Sequence, residues 1–413
     1  MSNFSGKVQA QAWMHAPETA RVMEALLEDG GDARFVGGCV RNALVNRPVL
    51  DIDIATPLTP EEVIERLKRR NLSYAPTGLK HGTVTALVDG HPFEITTLRP
   101  DVMTFGRHAE VKFTDDWKTD AARRDFTMNA IFATRDGDIF DPFGGVEDLR
   151  LGRVRFVGDP EKRIREDVLR ILRFFRFYAH FGRGAPDADA LKACAAAAPQ
   201  IVKLSAERIR QEILKLLESD NCADVWRLML QNGIVTHFLP EASNVKSLES
   251  LVRLEARFGE GVVPLRRLAA LLDITVNGVK NLVQGLRLSN DQAAQLVRMV
   301  DTGFNLSLPM EEAAVRRLVY RLGNDVMRSL LLLAAARAGK DDDMATAWQV
   351  ATAFRPPRFP LTGEDVMKTG YPSGPTVGLV LGVLEEWWLE EDLKPNRTEC
   401  LQKLAEAFGP IKG

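Results

Sequence analysis

The run Gly37-Gly38-Cys39-Val40-Arg41-Asn42, followed by Asp51-Ile52-Asp53, decides how the rest of this 413-residue chain is read. Residues 33–36 (ARFV) predict a short strand that runs into the glycine pair. Residues 39–46 (CVRNALVN) resume as a helix, and residues 49–55 (VLDIDIA) alternate as a strand does. Two glycines between a strand and a helix let backbone N–H groups approach phosphate oxygens with no Cβ in the way. Arg41 adds a planar cationic fork on the helix. On a strand, Asp51 and Asp53 point to one face, because side chains alternate. Two carboxylates on one face can bridge a pair of hard cations about 3.5–4 Å apart, one activating an attacking hydroxyl and the other holding a triphosphate. The alternative is a strand-end turn with two solvated aspartates; the glycine pair just upstream weighs against it.

Upstream, residues 17–29 (PETARVMEALLED) carry helical spacing of Val22, Leu26 and Leu27, stopped by Gly30-Gly31. Downstream, Thr59 and Glu62 form a capping-box signature at the head of a helix. Residues 83–88 and 92–97 flank Asp89-Gly90, a hairpin signal. Glu94 sits among Phe93 and Ile95 in the second of these strands; it is either a third metal-binding carboxylate or a solvent-facing acid. The first 150 residues therefore mix helices with a small sheet. Beyond Asp159-Pro160 the pattern is helical almost throughout, with a helix starting at Ser205, a break at RPPRFP (355–360) and an acidic end.

Two further clusters carry chemistry. Arg123-Arg124-Asp125-Phe126-Thr127-Met128-Asn129 supplies phosphate donors and groups able to bond a ribose hydroxyl. Read structurally, it is an exposed helix start with an Asp cap. Arg165-Glu166-Asp167-Val168-Leu169-Arg170, continuing to Arg173 and Arg176, predicts one helix with Glu166, Asp167 and Arg170 on a shared face. A carboxylate beside a guanidinium can mimic the edge of a base. The competing reading is a helical salt bridge of about 0.3–0.5 kcal/mol.

The chain is long enough for two to four domains. Its 45% hydrophobic and 27% charged residues are ordinary for a soluble protein. The N-terminus lacks the apolar core of a signal peptide, and the longest apolar run, Leu330 to Ala336, is far short of a membrane span. Cys39, Cys194, Cys222 and Cys400 lie far apart, which disfavours zinc sites and disulfide frameworks and suggests a reducing cytoplasm. The net charge of −2 hides a basic stretch: residues 161–216 hold twelve Lys/Arg against seven Asp/Glu. A nucleic-acid binder needs such a local surface, not a basic whole.

In this order, GGCVRN, DID, RRDFTMNA, DPFGG with VEDL after it, and REDVLR resemble the class II tRNA nucleotidyltransferases, the bacterial and eukaryotic CCA-adding enzymes, and the related bacterial poly(A) polymerases. The resemblance is dense from about 33 to 180, weaker in ERIRQEILKLL (207–217), and returns in GEDVMKTGYPSGPTVG (363–378). It implies an α+β fold: a polymerase-β-like head with a mixed sheet (1–150), then an all-α neck (151–223), body (224–355) and tail (356–413). It implies a metal site for two Mg2+ ions at Asp51 and Asp53, with Glu94 as the third candidate. Gly37, Gly38 and Arg41 fall in the triphosphate segment. Arg123, Arg124, Asp125 and Asn129 fall in the nucleotide and ribose motif, and Asp141 with Gly144-Gly145 at the hinge between head and neck. Glu166, Asp167 and Arg170, with Arg173 beyond them, match the element that reads the incoming base. Arg208, Arg210 and Lys215 are the expected RNA contacts of the neck. The stretch from Arg99 to Trp117 looks like the family's flexible loop, which takes part in switching from C to A.

The implied reaction is template-independent addition of CCA to the tRNA 3′ end from CTP and ATP, by an enzyme in the cytoplasm with no membrane and no protein partner. The alternatives are a poly(A) polymerase, or an enzyme adding only CC or only A. A chain that ends in WWLEED and a short tail, with a pI near 6.4, lacks the strongly basic extension common among the polymerases. Cytosine and adenine share an amino donor beside a ring acceptor nitrogen, which Asp167 and Arg170 would complement. Uracil and guanine invert that pair. Each mismatched buried group costs about 1–3 kcal/mol, so two give roughly a hundredfold selectivity or more.

Overall fold

A computed structural model describes residues 6–79, 82–100, 112–273, 276–300, 304, 306–340 and 342–409. The chain divides into two compact units, 1–240 and 241–413.

In the first unit, seven strands form one sheet: β1 (Arg34–Val36), β2 (Ile52–Thr56), β3 (Ser73–Gly78), β4 (Thr83–Val88), β5 (His91–Thr97), β6 (Phe132–Ala133) and β7 (Ile139–Phe140). Their order is β3-β4-β5-β2-β1-β6-β7. β2 and β5 run parallel while the other neighbours are antiparallel, so the sheet is mixed. Alternation gives it two covered faces. Phe35, Ile54, Phe93 and Ile95 pack against the helices Pro17–Leu27 and Pro60–Arg69, whereas Val36, Ala55 and Phe132 pack with Trp117 and Ala121 on the other side. The register pairs Asp53 directly with Glu94, so the two carboxylates share that second face.

Local signals shaped several elements as expected. Thr59 and Glu62 close a capping box, and Asp89-Gly90, both at positive φ (51° and 85°), turn the hairpin between β4 and β5. Others differ. The second strand begins at Ile52, not at residue 49, and Asp51 is exposed in a bend just ahead of it. The RRD cluster does not open a helix. It follows the end of the helix Trp117–Ala122, and Asp125 is buried.

The stretch 165–170 is not one helix either. The helix Pro160–Glu166 stops, Asp167 turns to an extended conformation (φ −149°, ψ 108°), and a new helix spans Arg170–Phe181. The cause is local: the Asp167 Oδ1 accepts the amide of Leu169 at 3.0 Å, the competition with helical bonding that makes Asp a helix breaker. The core of the family's proposed flexible loop, residues 101–111, lies outside the described residues; its roots are joined by the Thr114 amide donating to the Leu98 carbonyl at 3.0 Å.

The second unit is helical. The helices Val245–Phe258 and Pro264–Leu271 share a buried ion cluster in which Glu255 accepts from both Arg266 and Arg267. The run Leu330–Ala336 lies inside the helix Asn324–Ala338 and is core. A separate apolar cluster ties the helices Pro375–Glu390 and Arg397–Phe408 through Leu384, Trp388, Cys400 and Leu404. Among the described residues no helix is long and apolar enough to cross a membrane.

Candidate active site

A cavity of about 400 Å³ lies in the first unit, lined by Gly37, Gly38, Arg41, Asp53, Arg124, Asp125, Asn129, Asp167, Leu169, Arg170, Arg173, Phe177 and Arg208. Segments far apart in sequence thus meet at one place. Five arginines face three aspartates there, an excess of positive charge that suits a polyanionic ligand.

Gly37 takes φ 71°, which disfavours any side chain, and a Cβ there would stand 3.7 Å from Arg124 and 4.0 Å from Asp53. Its amide is committed to the Ile131 carbonyl at 3.3 Å, so the space above the glycine, rather than that N–H, is what the residue offers. Arg41 donates to Asn129 Oδ1 at 2.6 Å and to Asn42 Oδ1 at 2.9 and 3.2 Å, with its guanidinium 4.6 Å from the Phe181 ring centre. Burial, then the neighbouring Arg176, lowers its pKa to about 10, which still leaves it charged at neutral pH.

The Asp53 carboxyl is pushed up to about 6, by burial first and then by the charge of Glu94, with Asp51 adding to it against Arg124 and Arg41. Asp51 and Glu94 do not line the cavity; both are exposed beside Asp53. Among the described residues, no three His, Cys, Asp or Glu side chains form a preassembled metal cluster. Three carboxylates whose repulsion disfavours ionisation of the middle one nevertheless make a field that a hard cation relieves.

Asp125 has nearly all its acceptor capacity engaged. Its Oδ1 accepts the Phe126 amide and Asn129 Nδ2, each at 2.9 Å, and its Oδ2 accepts the Nε of Arg173 at 2.7 Å. Arg124 is aimed by Asp120, whose Oδ2 takes its Nε and Nη2 at 3.2 and 3.0 Å. Arg123 lies outside the cavity lining. Its Nε bonds Asp120 Oδ1 at 2.7 Å, and its carbonyl accepts from Arg163 and Arg170, so it ties the sheet region to the helices behind. Glu166 also stays off the lining; it holds Arg170 at 2.6 Å and Arg163 at 2.7 Å.

Asp167 and Arg170 do face one cavity, but their partners differ from those a single helix would give. Arg170 is pinned by Glu166 and by the Arg163 carbonyl at 2.8 Å. Asp167 pairs with Arg208 at 2.7 Å. Of the three expected RNA contacts, Arg208 thus belongs to the cavity, while Arg210 and Lys215 do not line it.

Asp120, Arg163, Phe177 and Glu212 escaped the sequence reading. Asp120 could have been found, since an acid three and four residues before Arg123 and Arg124 is a helical pairing signal. Glu212, which faces Arg176 at 3.1 Å, shows only as an acid on the apolar stripe of the helix Ala206–Leu217.

Residues 33–155 match the family described as the poly A polymerase head domain, and residues 185–246 match a probable RNA and SrmB-binding site of polymerase A. The chain is 33% identical to the CCA tRNA nucleotidyltransferase 1, mitochondrial, of Danio rerio over 91% of this chain and 88% of that protein. It is 30% identical to the CCA-adding enzyme of Limosilactobacillus fermentum over 94% and 96% of the two chains. The crystal structure of the Bacillus stearothermophilus CCA-adding enzyme in complex with CTP superposes with a TM-score of 0.76 at 28% identity, covering 94% of this chain and 96% of that one. With that likeness running through head and helical regions alike, the chain belongs to the CCA-adding tRNA nucleotidyltransferases, a family of RNA nucleotidyltransferases.

Proposed function

We propose that this protein adds C, C and A in turn to the 3′ end of tRNA, taking CTP and ATP and releasing diphosphate. The observation that carries the reading is the convergence of Asp53, Arg124, Asp125, Asp167 and Arg170 on one cavity. Its arginines balance a triphosphate, and its far wall presents an acceptor and a donor to a base. Asp51, Asp53 and Glu94 are the groups that would hold Mg2+, which would supply Lewis-acid activation of the 3′-hydroxyl and charge neutralisation on the phosphates. The donor set fits, because like charge already crowds Asp53.

The residues of the chain divide the remaining work. Arg41 and Arg124 meet the triphosphate, each aimed by a hydrogen-bonded partner, and preorganised donors of that kind stabilise developing charge without reorganising. Asn129 meets the ribose through its remaining Nδ2 hydrogen, held in place by Asp125 and Arg41. Asp167 accepts from the amino group shared by cytosine and adenine, and Arg170 donates to the ring nitrogen beside it. The same reading divides the chain into four parts, head 1–150, neck 151–223, body 224–355 and tail 356–413, with body and tail gripping the RNA and the enzyme working in the cytoplasm.

Tail-less tRNA and an unstructured oligonucleotide, each incubated in magnesium with ATP alone and with CTP plus ATP, test the reading. Synthesis on tRNA is expected to stop after C, C and A. Long A tracts from ATP alone would promote the poly(A) polymerase reading, and a stop after CC or addition of A only to a CC end would establish partial specificity.

A further inference from the structure

We infer that Arg208 is a positioning residue for base selection, holding the Asp167 carboxylate in its acceptor orientation, rather than a contact to the RNA backbone. The inference rests on the proposed role of Asp167 and Arg170 in reading the base.

Both oxygens of Asp167 have a separate holder. The Leu169 amide fixes Oδ1 at 3.0 Å, and Arg208 Nη2 fixes Oδ2 at 2.7 Å. Two holders on two oxygens determine the side-chain torsion, as a single one would not. Arg170 is fixed in the same manner by Glu166 and two backbone carbonyls. The side-chain acceptor and donor that a base would meet are thus each anchored by side chains and backbone groups outside the pair. A carboxylate offers about four lone-pair sites, so Asp167 can keep both holders and still accept from an amino group.

The place of Arg208 in its helix supports the reading. It lies in the first turn of the helix Ala206–Leu217, where the macrodipole disfavours a cation. That turn carries no side-chain cap from Ser205. A positive charge put there gains from the dipole nothing that would explain it, and its side chain pairs instead with the carboxylate of Asp167. Arg208 is half exposed and lines the cavity, so it can act on Asp167 while a nucleotide enters. Arg210, two residues on, points elsewhere on the helix and lines no part of the cavity.

A carboxylate freed from Arg208 could rotate away from the amino group of cytosine or adenine and would no longer present a fixed acceptor against the carbonyl of uracil or guanine. Arg208→Ala and Arg208→Lys are to be compared with the unaltered protein for CTP against UTP incorporation on tail-less tRNA, with KM for tRNA measured alongside. The CTP preference is expected to fall roughly tenfold in Arg208→Ala, about the effect of one orienting hydrogen bond, with Lys restoring part of it. KM for tRNA should stay within about twofold of its starting value if Arg208 acts on Asp167 and not on the RNA backbone.

A raised tRNA KM with an unchanged CTP-to-UTP ratio would overturn the inference and return Arg208 to the RNA. Calorimetric binding of CTP and UTP without RNA gives a second readout. If the unaltered protein failed to extend tRNA at all, the proposed function would fall, while the CTP-over-UTP binding ratio of the variants would still decide the Arg208 role.

Discussion

Asp125 shows how a buried charge at the edge of the cavity is kept. Burial acts to raise its pKa, but Arg173, Asn129 and the Phe126 amide outweigh that and leave it below the usual carboxylate range. A depressed folded-state value means the group contributes stability above its unfolded value, near 3.9, and loses it as pH falls through the lower folded value. Asp125→Asn leaves the Arg173 guanidinium without its carboxylate, and breaking a buried pair costs about 3–5 kcal/mol. Arg173 is about a third exposed and also faces Glu212 at 3.9 Å, so the lower end or less is expected. The variant should therefore melt below the parent at pH 7, with the gap narrowing as pH falls below about 4 and through the depressed folded-state value of Asp125. Thermal unfolding across that range checks it; a gap that is constant with pH would show that Asp125 does not stay ionised in the fold. Charge at this level was half legible in sequence. The acids and arginines of RRD and REDVLR were visible as clusters, yet which arginine served which acid was not, because Asp125 pairs 48 residues away and Asp167 pairs 41 residues away.

Elements set these pairs by how closely they dock. The helix Gly145–Leu151 lies against the turn Thr127–Asn129, where a Cβ on Gly145 would stand 2.1 Å from the Thr127 carbonyl oxygen. Asp141 fixes the start of that helix by accepting the amides of Gly145 at 2.8 Å and Val146 at 2.9 Å. Gly145→Ala must push the turn aside, and with it Asn129, the common partner of Arg41 and Asp125. A loss at the upper end of about 1–3 kcal/mol is expected, together with weaker CTP binding. Gly144→Ala is the control: its φ of 73° is left-handed but its surroundings are open, so about 1–2 kcal/mol is expected with CTP affinity kept. Equal nucleotide affinity in both variants would detach the helix from the site. The same contrast explains what sequence disclosed of the elements. The Thr59 cap and the Asp89-Gly90 hairpin depend on neighbours in the chain and were readable. The helix break at Asp167 resists the strong 3.6-residue pattern of 165–176, and the i,i+4 pair of Glu166 and Arg170 survives across the break, so the pattern looked continuous.

At the scale of the molecule, chemistry and grip can be separated along the chain. Every residue lining the cavity falls between Gly37 and Arg208, inside the first compact unit, and that unit has its own apolar clusters around Phe35 and Phe132. The second unit carries its own cluster around Trp388 and the buried Glu255 with its two arginines. Nucleotide affinity, set by preorganised donors in one cavity, should therefore follow the first unit. Affinity for tRNA is a sum over many phosphate contacts and should need a larger surface. A chain ending at Pro240 is expected to bind CTP within a few-fold of the full protein and to bind tRNA at least about tenfold more weakly, with a shallower dependence on salt because fewer phosphates are neutralised. Circular dichroism establishes whether the shortened chain folds, calorimetry reads CTP, and filter binding across a salt series reads tRNA. A folded fragment that has lost CTP would mean that the second unit helps to build the nucleotide site. Unchanged tRNA affinity and salt slope would mean that body and tail do not hold the RNA, and the stop after three nucleotides would then have to come from the cavity alone.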